Sequence, residues 1–277
     1  MEAKQLITIR GTVYYWISRA QNSKARCIMF THGLTADHTM FEKQVEYYQK
    51  HYTVITWDVP LHGRSYPYSH FSYENCALDM LEILDREQIH KTVLLGMSMG
   101  GYPSQEFAAR FPERVDGFIA LDTTPYGLGY YSKSDIWWLS RTACIAKCFP
   151  EDLLRKSMAR SVSKTSYSYG RMTEMLSRLT KDRIISQMDI GYSGFLKENR
   201  DITLKMPVLI LLGQFDKTGK VSNYCKAWAE KEGFPLHIIE NAAHFSNGDN
   251  PQKVNLEIEE FIKQLDTVKG KNKEQCN

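Results

Sequence analysis

The chain has 277 residues, 43% apolar and 24% charged, a balance that excludes an intrinsically disordered segment and predicts a globular protein with a sizeable core. Its formal charge of +3 is too small to argue for nucleic acid, and no nucleic-acid-binding motif accompanies it. Met1-Glu2-Ala3-Lys4-Gln5 lacks the apolar region of a signal peptide, and no run approaches the roughly 18 apolar residues of a membrane span, so a cytoplasmic protein without an integral membrane segment is expected.

Leu6 to Ile9 and Val13 to Ile17 read as two strands around an Arg10-Gly11 turn, and Cys27 to Phe30 as a short apolar strand. From there helices and strands alternate: a helix across Met40 to Gln49, a strand Thr53 to Trp57, a helix near Tyr73 to Gln88, a strand Lys91 to Leu95, a helix Gly101 to Arg110 and a strand Val115 to Leu121. Alternation of this kind predicts a mostly parallel sheet with right-handed crossovers and helices on both faces. Residues 125–196 break the rhythm, with no strand pattern and several amphipathic helical segments rich in Tyr, Met and Arg, including Trp137-Trp138. The alternation resumes with a strand Val208 to Leu212, a helix Val221 to Glu230, a strand Leu236 to Ile239 and a helix from Pro251 to about Leu265. Thr267 to Asn277 is expected to fray. The domain division is therefore a core of residues 1–124 and 197–277 carrying a helical insertion at 125–196.

The chemistry is signalled at Gly96-Met97-Ser98-Met99-Gly100. It lies between the strand Lys91 to Leu95 and the helix that carries Tyr102, Phe107 and Ala108, so Ser98 falls on a sharp strand-to-helix corner. Small residues two before and two after the serine permit a strained turn that lifts its hydroxyl clear of the sheet, and the N–H groups of the following helix point to where negative charge develops in acyl transfer.

Four further blocks complete the pattern: Thr31-His32-Gly33-Leu34, Asp58-Val59-Pro60-Leu61-His62-Gly63-Arg64-Ser65, Gly213-Gln214-Phe215-Asp216 and Ala243-His244-Phe245. In this content and order the chain resembles the α/β-hydrolase family over nearly its whole length. The resemblance implies a mostly parallel eight-stranded sheet with helices on both faces and residues 125–196 as a helical cap, or lid. Ser98 is expected to be the nucleophile, His244 the base that takes its proton, and Asp216 the carboxylate that orients the histidine. Asp122, at the end of Phe118-Ile119-Ala120-Leu121, is the rival acid. The resemblance also assigns the oxyanion hole to the backbone N–H groups of Leu34 and Met99. His32 and His62 read as structural histidines, Gly63 as the holder of an unusual backbone angle, and Pro103 as a possible slight distortion of the first helical turn.

Six cysteines show no CxxC and no metal-type cluster with histidine, so neither disulfides nor a metal is expected, and Cys144 and Cys148 read as buried apolar positions. No organic cofactor is implied. Residues 125–196 hold eleven Lys or Arg against six Asp or Glu; a solvated helical face is the simpler account, and attraction of an anionic substrate or a lipid surface the functional one. The expected function is hydrolysis of a carboxylic ester of a small or medium apolar substrate through an acyl-enzyme. A lactonase, thioesterase, acyltransferase or carbon–carbon bond hydrolase would use the same three residues, and a non-catalytic ligand-binding receptor is the alternative outside catalysis. The sequence assigns no oligomeric state.

Overall fold

The computed structural model describes the backbone of residues 1–274 and the side chains of residues 1–267. Strands β1 (Glu2–Thr8) and β2 (Gly11–Ser18) form an antiparallel hairpin. They are followed by β3 (Cys27–Thr31), α1 (Glu42–Tyr48), β4 (Thr53–Trp57), α2 (Tyr73–Arg86), β5 (Thr92–Met97), α3 (Gly101–Arg110) and β6 (Val115–Leu121). Five helices come next: α4 (Lys133–Leu139), α5 (Thr142–Lys147), α6 (Glu151–Val162), α7 (Ser166–Ser177) and α8 (Lys181–Glu198). The chain returns to the sheet with β7 (Val208–Gly213), α9 (Val221–Glu232) and β8 (Leu236–Ile239), and closes with α10 (Ser246–Asp249) and α11 (Pro251–Glu274). The eight strands lie in the order β1-β2-β4-β3-β5-β6-β7-β8, and all pairs from β4 to β8 are parallel.

Burial follows position in this order. In β2 only Val13, Tyr15 and Ile17 are fully buried, the alternation of a strand with one wet face, whereas β3, β5 and β7 are buried along their whole length, as parallel strands covered on both sides must be. Alternate residues feed two apolar clusters: β3 sends Ile28 and Phe30 to one face and Cys27 and Met29 to the other. The first cluster runs without a break from the sheet into α6, α7 and α8 through Leu154, Met172, Leu176, Ile184 and Met188. Helices α5 to α8 are thus packed onto the sheet's own core. None of the described helices is long and apolar enough to cross a membrane.

β3 and β5 are neighbours, but β3 leads on to β4 on one side while β5 leads on to β6 on the other. Loops diverge at such a reversal, which opens a crevice at the carboxyl ends of the strands. The loops carrying Leu34 and Ser98 leave from these two ends.

Two expectations are corrected. Helix α11 continues to Glu274, because the residues after Leu265 include no proline and several good helix formers, so its hydrogen bonding carries past Gly270; the remainder of the expected frayed tail, with Cys276, lies outside the described residues. Cys144 and Cys148 are exposed rather than buried. Helix α5 turns its small Ala143 and Ala146 inward, which leaves the cysteines on its outer side. Cys27, Cys76 and Cys225 are buried free thiols.

Candidate active site

Ser98 sits between β5 and α3 with φ +51°, a left-handed conformation that costs a non-glycine residue roughly 1–3 kcal/mol and persists only where its surroundings enforce it. Here the enforcement is close packing. A Cβ on Gly100 would lie 2.2 Å from the Thr31 carbonyl oxygen, and one on Gly96 2.5 Å from the Gly100 carbonyl oxygen. The corner is further held by Thr123, whose hydroxyl donates to the Ser98 carbonyl at 2.6 Å. Pro103 occupies the first turn of α3, where its missing N–H costs little.

The Ser98 Oγ lies 2.8 Å from His244 Nε2, and His244 Nδ1 lies 2.8 Å from Asp216 Oδ2. A carboxylate only accepts, so Nδ1 carries the ring proton and Nε2 is left to accept from the serine hydroxyl. The Thr218 amide donates to the other Asp216 oxygen at 2.8 Å. Burial by itself lowers the His244 pKa, but the charge and hydrogen bond of Asp216, with Asp122 behind it, outweigh burial and leave it above 6.5.

Asp122, the rival acid, has different partners. Its Oδ1 accepts the Gly213 amide at 2.6 Å, and its Oδ2 is hydrogen-bonded to the Ser246 hydroxyl. Full burial first, and then the neighbouring Asp216 charge, push its carboxyl up to about 8. It ties the end of β7 to the segment that follows His244.

Leu34 and Met99 line the same cavity as Ser98. Gly33 packs directly on the serine, since a Cβ there would lie 3.3 Å from Ser98 Cβ. The chain turns sharply after Leu34, at Thr35 with φ +59°. His32 is a framework residue: its Nδ1–H donates to the Gly33 carbonyl at 2.8 Å, and its Nε2 accepts the Val59 amide at 3.0 Å. Burial lowers its pKa and keeps it neutral. His62 is also buried, with Nδ1 3.1 Å from the Pro60 carbonyl, and burial pushes it down to about 3. Gly63 has φ +46°, and the Asp58 carboxylate fills the place of its missing side chain.

Two cavities meet at Ser98. The larger, about 450 Å³, is lined chiefly by Tyr73, Tyr102, Tyr131, Trp138, Val221 and Tyr224, and its rim holds an Asp135–Lys220 ion pair at 2.6 Å. The smaller, about 170 Å³, is lined by Met40, Met97, Met158, Met172, Met188 and the His244-Phe245 pair. Leu34, Ser98, Tyr192 and Thr218 border both.

Sequence reasoning missed several residues that hold this arrangement. Asp249 accepts the amides of Ala243, Lys164 and Thr165 at 2.8–3.1 Å, joining the histidine loop to the start of α7. Its signal, an acid in a short Ser-Asn-Gly-Asp stretch, reads as an ordinary turn. Ser246 and Tyr192 carried no motif. Among the described residues no group of three His, Cys, Asp or Glu side chains is placed to hold a metal ion.

A serine on a strained strand-to-helix corner, joined through histidine to a strand-end aspartate on a largely parallel sheet, defines a class of protein rather than one activity. The model of the alpha/beta hydrolase fold family matches residues 27–251, and the chain belongs to that family as a hydrolase. It is 24% identical over 253 residues to 3-oxoadipate enol-lactonase 2 of Acinetobacter baylyi, covering 86% of this chain and 89% of that one. In structure it is similar to a thermophilic esterase of Thermogutta terrifontis (TM-score 0.78, 21% identity, 96% of this chain and 99% of that one). It also resembles the enol-lactonase of Burkholderia xenovorans LB400 (TM-score 0.72, 21% identity, 94% and 100%).

Proposed function

We propose that the protein is a serine hydrolase that cleaves a carboxylic ester of a small or medium apolar substrate through an acyl-enzyme. The observation that carries this reading is the pair of 2.8 Å hydrogen bonds linking Ser98 to His244 and His244 to Asp216, at the junction of two apolar cavities. Ser98 Oγ attacks the ester carbonyl carbon while His244 Nε2 takes its proton, and Asp216 stabilises the resulting imidazolium without being protonated itself. The carbonyl oxygen becomes an oxyanion facing the Leu34 and Met99 amides, each such donor contributing about 3 kcal/mol to lowering the barrier. Collapse of the tetrahedral intermediate breaks the ester bond, and the leaving oxygen receives the proton from His244. Water, deprotonated by the same nitrogen, then attacks the acyl-enzyme and regenerates Ser98.

The two cavities suggest which arm goes where. His244 must protonate the leaving oxygen, so the cavity bordered by His244 is the leaving-group side, and the one bordered by Met99 but not His244 is the acyl side. At about 170 Å³ the former suits a group about the size of benzene, which occupies an apolar cavity of ~150 Å³. The acyl side is more than twice as large. Residues 125–196 serve as the cap, because Tyr131, Trp138, Tyr192 and the methionines of α6 to α8 wall both cavities. A lactone is a second reading, favoured by the relatives named as enol-lactonases; it would engage the same three residues with both arms joined in one ring.

An organophosphonate probe followed by peptide mapping tests the nucleophile: the adduct is expected on Ser98 alone and absent from Ser98→Ala. Turnover of nitrophenyl esters of increasing acyl length, set against a panel of lactones, tests the substrate class. Failure to turn over any activated ester would favour the ligand-binding receptor. Faster turnover of lactones than of every open ester would replace the ester reading.

A further inference from the structure

Helix α5 buries its small residues, and both α4 and α5 expose large apolar ones. Helix α5 turns Ala143 and Ala146 inward while Ile145 faces out; in α4 Ile136, Trp137 and Trp138 are exposed, and Phe149 and Leu153 continue the exposed series into α6. Burying one such side chain is worth about 1.5–3 kcal/mol, so six left to solvent within 18 residues is the opposite of what folding alone selects. Exposed apolar side chains concentrated in one short stretch mark a candidate contact site. The two tryptophan rings meet edge to face at 4.9 Å, and the Arg141 guanidinium lies 4.4 Å above the Trp137 ring.

Cations outnumber acids along this stretch: Lys133, Arg141, Lys147, Arg155 and Lys156 stand against Asp135, Glu151 and Asp152, with Asp135 paired to Lys220 and Glu151 to Arg155. Lys133, Arg141, Lys147 and Lys156 flank the exposed apolar residues in the chain and form no ion pair among the described residues. A second copy docked face to face would bring these four against their equivalents, an arrangement that like-charge repulsion disfavours. An anionic surface would neutralise them, and tryptophan and lysine together are the side chains that settle at the boundary between lipid headgroups and acyl chains. The patch also reaches the larger cavity: Trp138, 58% exposed, forms part of that cavity's wall together with Leu139 and Thr142.

We infer that the outer face of α4, α5 and the start of α6 docks on an anionic lipid surface, with Trp137, Trp138 and Phe149 in the interface and the neighbouring lysines and Arg141 on the headgroups. Docking in this orientation brings the cavity rim at Trp138 to the lipid boundary, where apolar acyl compounds concentrate.

The test reads binding and is independent of turnover. Full-length protein carrying Ser98→Ala, so that no lipid is hydrolysed, is sedimented with phosphatidylcholine vesicles and with vesicles of equal parts phosphatidylcholine and phosphatidylglycerol. Binding is expected to the anionic vesicles, weakening as salt is raised, with a blue shift of tryptophan emission. Adding Trp137→Ala and Phe149→Ala should weaken it by on the order of tenfold or more, and Lys133→Glu with Lys147→Glu should remove the preference for phosphatidylglycerol. Thermal melts of each variant show that it is folded. Absence of sedimentation, equal binding to both vesicles, or variants that bind like the parent would overturn the inference. So would a concentration-dependent dimer abolished by Trp137→Ala with Phe149→Ala, which would make the patch a contact between copies.

Discussion

The strand-end loops around Ser98 and the helices between β6 and β7 obey different rules. In the loops the backbone is the determinant: Thr35, Leu61, Ser98 and Asp122 all have positive φ, and Gly96 and Gly100 are pressed against neighbouring backbone. In the helices there is slack. Gly129 and Gly170 have open space where a side chain would go, methionines line the smaller cavity, and large apolar residues face out. The lesson is a division of labour. On the proposed function, acyl transfer needs donors and nucleophile held within fractions of an ångström, so that region should tolerate little change, while recognition of flexible apolar groups would be served by soft, deformable side chains.

Substitutions can break or sharpen this contrast. The largest expected effect is at the corner itself: Ser98→Ala should lower ester turnover by on the order of 10⁶, measured as initial rates with a chromogenic ester. Next, Asp216→Asn should lower it by about 10³–10⁴ with the fold intact. Asp122→Asn should do much less, because Asp122 is hydrogen-bonded to the Gly213 amide and the Ser246 hydroxyl and not to His244. A reversed ranking would transfer the orienting role to Asp122.

Gly100→Ala should destabilise the fold by roughly 3 kcal/mol, because its Cβ meets the backbone of Thr31 and His32 and neither can give way. The denaturant midpoint measures it; an unchanged midpoint would show that the corner is softer than its packing implies.

The pH profile has a smaller reach, about tenfold per pH unit. His244 must be neutral to accept the serine proton, and its pKa is raised above 6.5. Activity should therefore fall as pH drops through an apparent pKa above 6.5, and Asp216→Asn should move that midpoint down by removing the charge that raises it. A midpoint at or below 6.5 in the parent enzyme would contradict the electrostatics of the site.

The smallest effect is expected in the helical region. Gly170→Ala, on the exposed side of α7, should stabilise the protein by about 0.5–1 kcal/mol, since alanine costs less backbone entropy in a helix than glycine. A loss there comparable to that of Gly100→Ala would abolish the contrast between the two regions.

The order of strands and helices, the corner at Ser98 and the interruption after β6 were legible in the sequence because each is written in local pattern: apolar period, glycine spacing and the strand that precedes each motif. The exposed face of α5 was not. Helical periodicity says which residues share a side but not whether that side packs inward, so the sequence alone suggests burial for Cys144 and Cys148, which the structure exposes. The end of α11 was equally obscure, since a charged stretch without proline suits a helix and a frayed tail alike.

The choice between the two aspartates shows most clearly what required the folded chain. Asp122 and Asp216 each follow an apolar strand; the Gly213-Gln214-Phe215-Asp216 block favours Asp216 by resemblance, but the partners of each carboxylate are set only by the fold. Their distant partners come from the end of β7 and the segment after β8 that carries both His244 and Ser246, up to 124 residues away from Asp122. The adjacency of β6, β7 and β8 brings that segment over both carboxylates at once, and the side chains of two nearby residues divide them, the imidazole meeting Asp216 and the hydroxyl meeting Asp122. Local sequence therefore determined which groups were available for the chemistry. Long-range strand order, set by burial of both faces of the sheet, decided which of them meet.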